Sequence, residues 1–298
     1  MTVPTHTVSI TAHYAPHRIE YLRTVLDAIA DWDDCRTDVR LVTNTDALAR
    51  DAAIRDHPAR FRDAGSSLTH VVAERLDDPF HLTWYHKRFL EPWRESAGPD
   101  DLFIYLEDDT VLTGAGIRYF QRYRPILEPF RLVPSFIRFE QLPGTEPVVV
   151  DLGRPEFYGH GDSVRIGDAG VAHVCRNPYW AGYVLDCELA GEHLESRSFD
   201  MDASAFIPWD VRARAAMGVC FDDVPDGFRS RHAVVLTDGR PAEGALVWHC
   251  ANTYSAAADP YYGRLPLEEA FVTGSALAFQ LDRVRARLAR TSNRLSRR

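Results

Sequence analysis

At 298 residues the chain has room for two domains or one large α/β unit, and 45% apolar with 26% charged residues is a globular composition that excludes a disordered chain. No run is apolar and long enough to span a bilayer; the uncharged stretch Gly244–Ala258 is too short and too polar. The net charge of −9 conceals an asymmetry: Arg283–Arg298 holds seven arginines and no acid, leaving a body of 27 basic and 43 acidic residues that repels nucleic acid.

In chain order, Thr7–Ala12 alternates β-branched and small residues and is predicted to be a strand. A loop over His13–His17 leads into a helix with Ile19, Leu22, Val25, Leu26 and Ile29 at helical spacing. Val39–Thr43 is a second strand, followed by Asn44-Thr45-Asp46 and a helix over Ala47–Ile54. Leu68–Ala73 is a third strand and His81–Trp93 a helix. Leu102–Leu106 is a short, continuously apolar strand of the kind buried on both faces of a parallel sheet. This alternation predicts the α/β class: an open, mostly parallel sheet flanked by helices. The second half reads as more irregular. It has short strands at Ser135–Phe139 and Val148–Asp151, a helix over Gly182–Leu194, strand-like runs at Ala233–Leu236 and Ala245–Trp248, and an amphipathic helix over Leu267–Arg290. The expected divisions fall at 1–115, 116–262 and 263–298.

Five widely spaced cysteines, with no C-x-x-C pair, fit free thiols rather than a disulfide framework or a zinc site. With no apolar leader after Met1, a cytoplasmic location is expected. The basic C-terminal segment reads as a solvated helix face, with contact to an anionic membrane the less favoured alternative. One compositional fact stands out: Lys87 is the only lysine among 34 basic residues.

Ligands of open α/β sheets sit outside the carboxyl ends of the strands, so His13, Asn44-Thr45-Asp46 and Glu107-Asp108-Asp109 are placed to meet at one site. Three adjacent carboxylates repel one another, and the buried strand before them supplies no charge. A divalent cation relieves the repulsion, and hard oxygen ligands suit Mg²⁺ or Mn²⁺ together with substrate phosphates. A solvated acidic turn is the alternative.

A hydrophobic strand running into Glu107-Asp108-Asp109 about 100 residues into an α/β chain resembles the aspartate motif of GT-A-fold glycosyltransferases. His81-Leu82-Thr83-Trp84-Tyr85-His86-Lys87 is similar to a helix of a group of fungal and bacterial sugar transferases. Asn177-Pro178-Tyr179-Trp180-Ala181-Gly182 is similar to their acceptor-side segment, and Val211–Ala216 and Val224–Phe228 to further segments. The resemblance covers roughly residues 5–255. It implies a GT-A-like sheet whose first half, 1–115, binds a nucleotide sugar and whose second half, 116–262, binds the acceptor.

By this resemblance Asp109 is the metal ligand, while Asp108 and Glu107 contact ribose or sugar hydroxyls. A histidine near the end of the catalytic domain often completes such a site. His249 is the candidate ahead of His173, His160 and His232; a buried core histidine is the competing reading. Lys87 is expected to clamp phosphate, or else to pack its stem along a helix surface. His13 and Asp46 lie where this fold reads the nucleoside, although Asp46 equally suits a helix cap. Pro208-Trp209-Asp210-Val211-Arg212 resembles the W-D-D segment that carries the base of some inverting members, with Val211 in place of the second aspartate. Asp210 is therefore the first candidate base and Asp202 the second, with an N-cap the alternative for Asp210.

The function implied is metal-dependent transfer of a sugar from a nucleoside-diphosphate donor, UDP-sugar favoured, to a hydroxyl acceptor, with Mn²⁺ or Mg²⁺ as cofactor. The alternatives are a nucleotidyltransferase and a catalytically inactive sugar-nucleotide-binding module. The absence of glycine from Thr11–His17 counts against the former.

Overall fold

The computed structural model describes residues 3–73, 76–159, 162–257 and 262–273. Its first sheet contains β1 (Thr5–Ala12), β2 (Arg36–Thr43), β3 (Ser67–Val72) and β4 (Phe103–Glu107), all parallel in the spatial order β4-β1-β2-β3. The expected open, mostly parallel sheet is therefore present. It forms because β4 carries apolar side chains on both faces and β1 on one, its other face being buried Thr and Ser: Val8, Ile10, Phe103, Ile104 and Leu106 are all fully buried. The helix Ile19–Ala30 covers the sheet with Ile19, Leu22, Val25, Leu26 and Ile29, the five positions that its spacing predicts. Each such burial contributes about 1.5–3 kcal/mol.

The edge beyond β4 differs from the reading of the sequence. Gly182–Leu185 is not the start of a helix but a fifth strand, antiparallel to β4, and the helix runs from Cys187 to Glu195. The sequence Gly-Tyr-Val-Leu is short and apolar, and periodicity alone does not separate a buried strand from a helix at that length. Because this strand is antiparallel, Gly182 pairs with Leu106, which brings Asn177–Ala181 to the carboxyl edge of the parallel strands.

At that edge the chain changes sheets. After Glu107 a two-residue turn, Asp108-Asp109, leads into β5 (Thr110–Val111), which pairs antiparallel with the strand Leu246–His249. That strand lies parallel to Ile137–Glu140, which pairs in turn with Val148–Val149. A third sheet carries Ser163–Arg165, Val171–His173 and His232–Thr237. One apolar core runs through these layers, including Ile117, Phe120 and Leu127 of a helix over Gly114–Leu127.

Other boundaries move. The segment at 79–96 is a 3₁₀ run, Pro79–Phe89, followed by the α-helix Leu90–Ser96, and the helix after Asp46 is a single turn, Ala47–Arg50. The expected terminal helix begins where the structure has a 3₁₀ turn, Leu267–Glu269, and a strand, Phe271–Thr273; its remainder lies outside the described residues. All five cysteines are free thiols. Among the described residues no helix is long and apolar enough to cross a membrane.

Gly182 shows how tightly the edge strand is seated. A Cβ there would lie 2.5 Å from the Tyr105 carbonyl oxygen and 2.8 Å from the Trp180 ring. The backbone oxygen cannot move without opening the pairing with β4. Gly182→Ala is expected to cost about 3 kcal/mol, read as a lower urea midpoint; an unchanged midpoint would contradict this packing.

Candidate functional site

A cleft of about 630 Å³ opens where the two sheets meet. Thr11, His13 and Arg18 line it from β1 and the loop after it, and Glu107, Asp108 and Asp109 form its floor. Arg138, Asp151, Asn177, Tyr179, Asp210 and His249 line it from the second half of the chain.

Asp108 and Asp109 are buried here rather than solvated, Glu107 is half-buried, and each has a hydrogen-bond donor. Glu107 accepts a hydrogen bond from the Tyr179 hydroxyl at 2.6 Å. Asp108 receives a forked pair from Arg18, with Nε to Oδ2 at 3.0 Å and Nη2 to Oδ1. Asp109 Oδ2 receives Arg18 Nη2 at 2.8 Å and faces His249 Nε2 at 3.3 Å. The strand pairing sets the last contact: His249 sits opposite Thr110, and the Cys250 amide donates to the Asp109 carbonyl at 2.9 Å.

This arrangement separates the acid strengths of the three. Burial and the neighbouring charge of Asp109 push Glu107 up to about 7, against the pull of the Tyr179 hydrogen bond. Burial also raises Asp108, with Arg18 opposing it. Asp109 is buried too, but His249 and Arg18 outweigh the burial and hold its carboxyl below the usual range. Burial alone would lower His249; its hydrogen bonds to Asp109 and Glu140 instead hold it up to about 9.

Glu140 fixes the imidazole from behind. It is fully buried, accepts from His249 Nδ1 at 2.6 Å, and also takes the Tyr254 and Ser255 amides at 3.1 and 2.5 Å. A carboxylate on one imidazole nitrogen, with the other nitrogen facing the site, is the outer-sphere arrangement of metal-binding histidines. Arg138 plays the matching part on the other wall. It forks onto Asp151 at 2.8 and 2.9 Å and lies over the Tyr179 and Tyr254 rings.

Among the described residues no three His, Cys, Asp or Glu side chains form a ready metal cage. Two donors do fit a cation that takes further ligands from a diphosphate and water: Asp109 and His249. Asp109 Oδ1 is buried with no hydrogen-bond partner, an orphaned anionic oxygen beside a carboxylate-oriented imidazole. Loss of the His249 proton would accompany coordination.

No family model matches the chain, and no curated protein matches it. Among solved structures it is similar to the mannosyltransferase PcManGT from Pyrobaculum calidifontis, in complex with GDP-Man and Mn²⁺, with 19% identity over 46% of this chain and 36% of that one and a TM-score of 0.33. It is also similar to the apo form of the glycosyltransferase GlyE from Streptococcus pneumoniae TIGR4, with 10% identity over 79% of this chain and 46% of that one and a TM-score of 0.39. The chain thus spans less than half the length of either structure. Scores this low carry no argument about function, which rests on the cleft.

Of the residues singled out in the sequence, His13, Glu107, Asp108, Asp109, Asp210 and His249 line the cleft together. Asp46, Lys87 and Asp202 do not line it. Asp46 is exposed and pairs with Arg50, and the amide of Ala47 is held by Thr45. Of the other candidate histidines, His173 is tied to Glu156 and Ser163 in the third sheet, His232 is buried in that sheet, and His160 lies outside the described residues. Asp210 caps the helix Val211–Ala215: its Oδ1 accepts the Arg212 and Ala213 amides, both at 2.9 Å.

Arg18 and Arg138, which line the cleft, and Glu140, which orients His249, are positions that the reading of the sequence missed. Glu140 carried a usable signal, since Phe136-Ile137-Arg138-Phe139-Glu140 is another mostly apolar run ending in an acid. Arg18 carried none, being one arginine of 33 in a loop.

Lys87 requires a correction. It is neither a surface lysine nor a phosphate clamp: its ammonium is buried, donates to the Ser198 carbonyl and lies 4.3 Å from the Trp84 ring centroid. Burial pushes its pKa well down. Trp84 Nε1 in turn donates to the Val211 carbonyl at 2.7 Å, so the lysine braces the helix that Asp210 caps. Lys87→Met is expected to leave any nucleotide affinity of the cleft within about twofold of wild type, as measured by calorimetry. A tenfold loss in a folded variant would restore a direct contact.

Proposed function

We propose that the cleft binds a nucleoside-diphosphate sugar with Mn²⁺ or Mg²⁺ and transfers the sugar to a hydroxyl acceptor, with a UDP-sugar the first choice of donor. The observation that carries this reading is the meeting of Asp109, with its unpartnered Oδ1, and the Glu140-oriented His249 on the floor of a cleft between two sheets. Asp109 and His249 would hold the cation, which when bound neutralises the diphosphate and the charge it gathers as leaving group.

The remaining assignments concern the chain itself. Glu107, fixed by Tyr179, and Asp108, fixed by Arg18, are oriented to accept hydrogen bonds from ribose or sugar hydroxyls. His13 stands on the nucleotide side, its Nε2 2.5 Å from the Pro79 carbonyl. Tyr179 and Tyr254, from the second half of the chain, and Phe80 give the cleft aromatic faces suited to sugar rings. Asp210 is the proposed base. Its hydrogen bonds from Ala213 and Arg212 outweigh burial and lower its pKa, so it is ionised at neutral pH and able to accept the acceptor's proton. Asp202, away from the cleft, is not proposed.

Two measurements test this. A thermal-shift panel of UDP, GDP, CDP and dTDP, with and without Mn²⁺, is expected to show metal-dependent stabilisation by one nucleotide that Asp109→Ala abolishes. Full metal-dependent binding in Asp109→Ala would sink the metal assignment. Binding without transfer to any acceptor would indicate an inactive module.

Asp210→Asn separates base from cap, because asparagine caps a helix about as well as aspartate. The variant is expected to keep its melting temperature and nucleotide affinity while kcat falls by about 10²–10⁴-fold. Unchanged kcat would leave Asp210 as a cap alone.

A further inference from the structure

Arg18 holds two acids at once. Its Nε and Nη2 fork onto Asp108, and Nη2 also reaches Asp109 Oδ2 at 2.8 Å. The two aspartate side chains are only 8% and 7% exposed, whereas the Arg18 side chain is 31% exposed and lines the cleft. No described residue accepts a hydrogen bond from its Nη1.

A cation approaching Asp109 meets an oxygen already held by the Arg18 guanidinium. A divalent charge cannot join that guanidinium on one oxygen without strong repulsion. Withdrawal of Arg18 Nη2 from Asp109 removes it. Arg18 can withdraw from Asp109 without leaving Asp108, because Nε anchors it there separately. Its Nη1, which no described residue accepts from, then suits a phosphate oxygen, which the planar guanidinium recognises better than a point-charge ammonium does.

We propose that Arg18 exchanges partners as the donor binds: it gives up Asp109 to the cation and, still anchored on Asp108 through Nε, presents Nη1 to the diphosphate. The exchange rests on the donor and cation reading given above and adds to it a residue that couples the two ligands. A cation arriving alone displaces Arg18 without offering it a new partner. A nucleoside diphosphate supplies that partner, so each ligand tightens the other by the same factor.

The test uses Mn²⁺ alone, followed by electron paramagnetic resonance of the free ion, and then Mn²⁺ in the presence of UDP or GDP. In the wild-type chain Mn²⁺ alone is expected to bind weakly and to tighten with the nucleotide. Arg18→Gln is expected to bind Mn²⁺ alone about tenfold tighter, and to lose about tenfold of the tightening that the nucleotide gives. Unchanged or weaker binding of Mn²⁺ alone in a folded Arg18→Gln variant overturns the exchange.

Arg18→Lys carries the test if Arg18→Gln fails to fold. It keeps the charge but not the fork, and wild-type coupling in it equally overturns the exchange. If the wild-type chain binds no Mn²⁺ with either nucleotide, the donor reading falls and the exchange falls with it. If the wild-type chain binds both ligands and Arg18→Gln leaves their coupling intact, only the exchange falls.

Discussion

Three consecutive carboxylates, two buried and one half-buried, stand where the chain leaves one sheet and enters another, and the architecture around the cleft serves to make that burial tolerable. An unpaired buried carboxylate costs several kcal/mol, so each acid must find a donor. The donors come from distant parts of the chain. Arg18 arrives from the loop after β1, Tyr179 from the segment before the antiparallel edge strand, and His249 from the end of a strand in the second sheet. Pairing of β5 with Leu246–His249 fixes His249 against Asp109 through the backbone, so the contact does not depend on side-chain packing alone. A change that loosens either sheet at this junction therefore exposes charge as well as apolar surface.

Much of this was legible in the sequence, and the reasons differ by element. The first sheet was readable because β1 and β4 are short β-branched or apolar runs and the intervening helix keeps strict helical spacing. The acidic floor was readable because charge directly after a buried strand is costly without a purpose. The edge strand Gly182–Leu185 was not, since four apolar residues carry no period that separates strand from helix. The site's cations were the harder part. Arginine is so common in this chain that no single one draws attention, and the partners of Arg18 lie 90 and 91 residues away. Only the parallel pairing of β1 with β4 brings them together.

The distribution of arginine and lysine has a physical logic that composition alone did not reveal. Where a cation meets two oxygens of one carboxylate, or two acids at once, arginine is used: Arg18 on Asp108 and Asp109, Arg138 on Asp151, Arg124 on Asp186 and Glu188. The planar fork makes both bonds in one geometry. Lys87 occupies a different kind of place, closed over by Trp84 and Phe199, with a backbone carbonyl as acceptor. The singularity of the lysine thus marks a steric and structural niche; the expectation of a phosphate contact treated rarity as a sign of function.

The cleft's charges are nearly all spoken for before any ligand arrives. Arg18, Arg138 and His249 each hold a carboxylate, and Asp210 holds two amides. A ligand entering such a site exchanges partners more than it adds charges. The desolvation of the protein groups is already accomplished by folding, and their orientation is set, which is the condition under which fixed dipoles and charges act on a reacting group without reorganising. The corresponding cost is that affinity is limited by what each incoming group displaces. A neutral sugar with no phosphate offers Arg18 no replacement for Asp109, so under the proposed exchange a diphosphate donor would be recognised first through its diphosphate and only then through its sugar.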